Sequence, residues 1–447
     1  MTTISGKVIY PQSDFVVLRN FETLVDTIPL DEGGRFSVTY KDFESGFILF
    51  THAPEYQSIY VNKGDSLRLR VNTKAFDESL AFAGSRAAEN NFLLDLFIKT
   101  EKQDRKLLEK YKASPMDFYK SLIANQERLI KELKEVAKEK EFDPEFVDQS
   151  ITSIKLNSYS RLERYPFSHF GKSDILESQN LPDAFTKHRN TIDLNDPDLL
   201  TLYSYRPYVN SLISHLALIN RAKKEGRGST VDRNGYDYTR EKLSIIDSLI
   251  HNRTIKELFA GNVTRNFIRK SDDGKEINKL VGIFTDLSKN DPLNSQIIAL
   301  ADTYEDLIPG NKLDNLKLSD AGNQVLKLAE RIDKISVLFF WSEQFPDYAM
   351  RVHSKVRELS EKYPEIDFIG INVDDKNQET WKKVNSKYRF DLSSEYQLKN
   401  PKAVAGYLDI KNKNRTLIIE DDLTVINPDL NLFNYKIETT LLGYLNR

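Results

Sequence analysis

Any chemistry in this chain has to come from carboxylates, hydroxyls and six histidines, because none of its 447 residues is cysteine. Thiol–disulfide exchange needs a thiolate to attack a disulfide sulfur and a second thiol to resolve the mixed intermediate. No other side chain replaces either one, so this chain has no nucleophile for that reaction. Disulfides and cysteine-ligated metal sites are excluded on the same ground. The histidines are His52, His169, His188, His215, His251 and His353, and no two are spaced as H-x-x-x-H or H-E-x-x-H, so there is no zinc signature. There is no GxSxG elbow, no GxGxxG turn and no phosphate-binding Gly-Lys-Ser/Thr loop. The basic stretch Lys223 to Ser229 contains glycines but follows no strand, and it reads as a connector. Carboxylates are abundant, but a general acid–base pair is defined by geometry that spacing alone does not supply. The expectation is no cofactor, no metal and no catalytic residue.

The stretch that must position any site is Ile335 to Tyr348, ISVLFFWSEQFPDY. Its opening run is apolar, β-branched and aromatic, which suits a strand buried on both faces. Trp341 ends the run and a short polar turn follows. Pro346 then falls near the start of a helix whose Met350, Val352, Val356, Leu359 and Tyr363 recur at helical spacing. Asp367 to Asp374, DFIGINVD, reads as a second buried strand, so the segment predicts a βαβ unit. Asp374 and Asp375 end that strand, where α/β folds place ligands, but a structural turn is the expected role.

The line FFWSEQFPDYAMRVHSKVRELSEKYPEIDFIGINVDD resembles the core of a thioredoxin-like domain of the TlpA type. In that family an apolar strand ends at a tryptophan and a CxxC motif caps the next helix. Aligning Trp341 on the family tryptophan puts Phe345 and Tyr348 where the cysteines would stand, with Pro346 and Asp347 between them. The resemblance runs from about Asn311 to Arg447. Two roles stay open for Phe345 and Tyr348: packing at the helix start, or an aromatic patch in a former substrate groove. A cis-proline facing the cysteines is the family's second landmark. Here Asn414 falls near that position, ahead of the strand Leu417 to Glu420, and an ordinary trans bond is expected because a non-proline cis bond costs about 2.5–4 kcal/mol. His353, one turn into the helix, is expected to face solvent or cap.

The rest of the chain reads as two further parts. Residues 1–84 carry short alternating strands, a Glu32-Gly33-Gly34-Arg35 hairpin and an Asn62-to-Ser66 turn, which implies a small β-sandwich or open barrel. Residues 85–308 are helical, with Ser114-Pro115 and Asp143-Pro144 as helix starts and a break expected near Arg206, before Pro207. The hairpin, the VNKGDSLRL turn and LAFAGSRAAENNFL resemble the β-rich domain that precedes thioredoxin-like domains in many Bacteroidota envelope proteins, where a helical insert joins the two. That resemblance implies a periplasmic or cell-surface location, a lipid anchor on a leader removed before residue 1, and protein partners in the envelope.

Composition bounds the alternatives. Charges are interspersed and the net charge is −3, which argues against nucleic acid as a partner. No apolar run approaches the ~18 residues of a transmembrane helix. The expected fold class is therefore multidomain: an all-β domain over 1–84, an all-α domain over 85–308 and an α/β thioredoxin-like domain over 309–447. The expected role is non-catalytic, as a binding, accessory or scaffold subunit of a complex. The alternatives are a non-thiol active site in an inter-domain cleft, or a carrier of a small peptide or apolar ligand.

Overall fold

A computed structural model describes residues 1–19, 24–52, 55–104, 107–171, 175–226, 230–313, 316–343, 345–374, 377–399 and 416–446. The chain forms two compact units, Met1–Arg233 with Asp237–Ala260 and Asn234–Tyr236 with Gly261–Arg447. The three-part division at 84/85 and 308/309 follows the changes in secondary-structure class, and we keep it as a proposal for domain limits.

The N-terminal unit begins with two four-stranded sheets. One is ordered β4 (Arg35–Tyr40), β1 (Thr2–Ile9), β7 (Ser66–Asn72), β8 (Ala81–Gly84); the other is β3 (Leu24–Pro29), β2 (Phe15–Arg19), β5 (Gly46–His52), β6 (Glu55–Val61). Alternation drives their packing: Leu67, Leu69 and Val71 of β7 point inward and meet Leu18, Phe50 and Ile59 of the other sheet, so the two sheets share one core as a sandwich. The β3–β4 turn depends on Gly34, whose φ is +72° and whose absent Cβ would meet the Val8 carbonyl oxygen at 2.3 Å.

Helices complete this unit: α1 (Phe76–Ser79), α2 (Ala87–Asp104), α3 (Leu107–Lys110), α4 (Pro115–Lys140), α5 (Pro144–His169), α6 (Tyr205–Glu225) and α7 (Tyr236–Leu249). Ser114 caps α4 by accepting from the Asp117 N–H, and Asp143 caps α5 by accepting from the Glu145 N–H, as those residue pairs imply. α5 runs past Tyr165 to His169 in spite of Pro166. Tertiary contacts hold that last turn: Tyr165 donates to the Ala113 carbonyl, and His169 stacks on Tyr165 and bonds the Tyr111 carbonyl. Asp196 caps a 3-10 turn, Pro197–Thr201, and α6 begins separately at Tyr205. Pro207 thus sits in the first turn, where its missing N–H is not needed.

The second unit holds α9 (Gly274–Leu287), α10 (Asp291–Asp306) and a seven-stranded sheet; α8 (Arg253–Ile268) includes the Ala260/Gly261 point of division. The sheet order is β10 (Val325–Lys327), β9 (Lys317–Ser319), β13 (Glu395–Leu398), β12 (Asp367–Asn372), β11 (Ser336–Trp341), β14 (Thr416–Ile419), β15 (Val425–Asn427). β11 and β12 are parallel and joined by α11 (Pro346–Lys362); β12 and β13 are parallel and joined by α12 (Gln378–Tyr388). β14 runs antiparallel to β11, pairs with β15, and is followed by the C-terminal helix Ile437–Leu445. This order and these directions are thioredoxin-like, so the chain is multidomain: all-β strands first, helices next, and an α/β thioredoxin-like sheet last. Every residue of β11 is buried. Leu338 and Phe340 pack on one face with Leu313 and Leu328; Val337, Phe339 and Trp341 pack on the other with Val352, Trp381 and Leu441. That two-sided burial is what an uninterrupted apolar run encodes.

Candidate functional site

The turn from β11 into α11 gathers the residues singled out from the sequence. Trp341 is the last strand residue, Phe345 is the residue before the helix, and Pro346 and Asp347 are its first two positions. The turn is tied from below. The Asp374 carboxylate accepts from Ser342 Oγ at 2.5 Å, from the Glu343 N–H at 2.7 Å and from Asn372 Nδ2 at 3.1 Å. Asp374 is therefore a structural brace. Asp375 and Asn414 lie outside the described residues.

Phe345 makes no side-chain capping hydrogen bond, and the residue is 56% exposed. Tyr348 turns the other way and is buried among Trp341, Ala349 and Leu432. Burial pushes its hydroxyl up to about 12, against a smaller opposing effect of its hydrogen bond with Thr416 at the start of β14. Its ring meets Phe433 edge-on at 6.2 Å, and the Arg351 guanidinium lies 5.8 Å from the Phe433 centroid. Phe433 is itself half exposed. Of this pair, Tyr348 is buried at the helix start and Phe345 is exposed.

His353 does not face solvent, and here the structure corrects the sequence expectation. It is buried one turn after Ala349, whose carbonyl its Nδ1 meets at 2.6 Å, and its Nε2 meets Glu395 Oε1 at 3.0 Å. Phe390 stacks flat on the imidazole at 3.4 Å between centroids. Met350, on the same helix, is exposed. Position 353 shares a helix face with Ala349, and that face is turned toward the sheet.

Glu395 was not foreseen. It is 2% exposed and also accepts from Trp341 Nε1 at 2.7 Å. Burial raises its pKa, with the His353 and Trp341 hydrogen bonds acting the other way. The proton inventory explains the geometry. His353 Nδ1 donates to the Ala349 carbonyl, which leaves Nε2 to face Glu395 Oε1. One proton lies between Glu395 Oε1 and His353 Nε2 while Oε2 accepts from Trp341, so the polar atoms of this network are all paired. Gly370, directly opposite in the β12–β13 register, makes room: a Cβ there would lie 1.9 Å from Glu395 Oε1. That glycine, in the middle of an otherwise apolar strand, was the readable signal for a close approach.

Among the described residues no group of three or more His, Asp or Glu is placed to hold a metal ion, and no helix is long and apolar enough to cross a membrane. No protein-family model and no curated protein matches the chain. Solved structures do. The thioredoxin domain of a thiol-disulfide oxidoreductase from Bacteroides vulgatus is similar at 13% identity over 31% of this chain and 98% of that one, with a TM-score of 0.27. A thiol:disulfide interchange protein from a Bacteroides species is similar at 14% identity over 32% of this chain and 92% of that one, also with a TM-score of 0.27.

Proposed function

We propose that this protein is a thioredoxin-fold binding subunit, an accessory or scaffold component of a protein complex in the cell envelope, and not an oxidoreductase. The observation that carries this is the exposed Phe345 ring at the mouth of α11. A reactive thiolate gains its low pKa from such a helix N-terminus. A phenyl group there has no redox chemistry, but an exposed ring at the start of a helix that also carries Tyr348 and Arg351 against the half-exposed Phe433 has the composition of a protein-binding patch. The envelope location rests on the sequence resemblance of the N-terminal domain, and a lipid anchor on a preceding leader is part of the same proposal. The rival enzyme reading would need titratable groups that a substrate can reach. Glu395 and His353, the pair with the strongest environment here, sit under Phe390 with all their hydrogen-bonding groups already engaged.

Two measurements test this. Purified protein should reduce insulin disulfides, with dithiothreitol as electron donor, no faster than buffer does; turnover above that background would end the non-catalytic reading. A photo-crosslinking residue at position 345, expressed in the native cell, should join one recurrent envelope protein, and Phe345→Asp should lower recovery of that protein about tenfold, the scale of one lost aromatic anchor. Equal recovery would remove this patch from the proposal.

A further inference from the structure

In the N-terminal unit a cavity of about 290 Å3 opens between strands β5 and β6 and helices α2 and α5. The first half of the α2 lining is apolar, Thr100, Glu101 and Asp104 line its far end, and the α5 lining is small and polar. α2 supplies Leu93, Leu96 and Phe97, at i, i+3 and i+4; α5 supplies Ser150, Ser153 and Asn157, at i, i+3 and i+7. Three small or polar residues on one inward stripe are why the gap exists. Leucines there would close it and bury more apolar surface, the usual solution between packed helices. Ser150 is only 1% exposed, and its Oγ has no hydrogen-bond partner. A buried hydroxyl left unpaired costs stability and gives the fold nothing in return. Aromatic rings frame the space: Phe47 from β5, and Tyr56 and Tyr203, whose hydroxyls hydrogen-bond to each other at 2.7 Å. Those two tyrosines are about half exposed, so they form the rim.

We propose that this cavity binds a small planar aromatic molecule of one or two fused rings that carries a hydroxyl or amino group. The volume is at the lower end of the range for small-molecule pockets and holds a two-ring compound. The surrounding rings favour a flat π-system by edge and offset contacts. Polar groups along the lining, among them Asn157, Glu101 and Asp104, accept from either substituent. Nothing in this assignment depends on Phe345 or on the partner proposed above.

The test uses the full chain and 2-naphthol as probe. Titration calorimetry should show one saturable site. Decahydro-2-naphthol has the hydroxyl and a similar size but is not flat, and it should bind about tenfold more weakly. A Ser150→Leu/Ser153→Leu variant fills the space; it should lose at least about tenfold in affinity for 2-naphthol while its thermal midpoint rises. Should that variant fail to fold, amide exchange of the unaltered protein still decides: 2-naphthol should protect segments of Ala87–Asp104 and Pro144–His169. No saturable binding, protection confined to other segments, undiminished binding by the filled variant, or equal affinity for the saturated analogue would each overturn the proposal.

Discussion

Glu395→Ala lowers the stability of the C-terminal unit by about 2–4 kcal/mol, since each stranded buried polar group costs roughly 1–3 kcal/mol. The substitution leaves the Trp341 Nε1–H and His353 Nε2 facing each other across a void with no acceptor and no donor. Glu395→Gln behaves differently. Its carbonyl oxygen accepts from Trp341 and its amide donates to His353 Nε2, which keeps both hydrogen bonds, so stability near neutral pH holds or rises. The pH dependence follows from the raised pKa. In the unfolded chain the group titrates near its ordinary 4.5, and in the folded unit above it. Its stabilising contribution is therefore complete below pH 4.5 and is lost as pH climbs through the higher folded value. The gap between Gln variant and wild type should widen over that interval. Both tryptophans of the chain, Trp341 and Trp381, belong to this unit, so urea unfolding followed by tryptophan fluorescence reports on it alone. A Gln variant as unstable as the Ala variant would show that Glu395 is held as a carboxylate. Gly370→Ala offers a cross-check. It is severe in the wild type because of the 1.9 Å approach to Glu395, and it should cost much less in a Glu395→Ala background.

The network is also a measure of how far sequence reasoning reaches. Two-sided burial of β11 and β12, the helix starts at Ser114 and Asp143, and the position of Phe345 and Tyr348 on one turn all follow from local pattern. They depend on residues close in sequence and on periodicities a backbone imposes. Glu395 was illegible because a glutamate in SSEYQL looks like any solvated strand residue. What buries it is a partner helix that arrives from 42 residues earlier at His353. His353 was misplaced for the same reason: helical period assigns a face, but not what lies against it. The α5 overrun past Pro166 shows the converse, a strong local stop signal outweighed by contacts with Tyr111 and Ala113. Phe345 and Tyr348 are aromatic alike in the sequence, and only the exposure in the structure separates them.

The N-terminal unit carries its own buried glutamate, and there the same substitution should have the opposite result. Glu163 of α5 is fully enclosed. Arg189 grips both oxygens at 2.7 Å through Nε and a terminal nitrogen, His188 Nε2 approaches one at 2.9 Å, and His215 Nδ1 approaches the other at 2.5 Å. Burial alone would raise this carboxyl. The hydrogen bonds from His188, His215 and Arg189, with the arginine charge, outweigh it and hold the group far below its ordinary range. Four donors converge on a site that must only accept. Glu163→Gln places an amide donor among them and leaves Arg189 without its counter-charge, so we expect a loss of about 3–5 kcal/mol, the cost of breaking a buried pair from one side. Here the sign of the pH effect reverses. The contribution is complete above the unfolded value of 4.5 and is lost as pH falls toward the depressed folded value. Amide exchange in Pro144–His169 and Tyr205–Glu225, compared between wild type and Glu163→Gln at pH 7 and pH 4, measures it. The difference should be large at pH 7 and smaller at pH 4. Glutamine would then be tolerated at 395 and damaging at 163, because an amide can donate to His353 Nε2 at one site and meets only donors at the other. A harmless Glu163→Gln, or a difference that grows as pH falls, would contradict the assignment of Glu163 as the anion of this cluster.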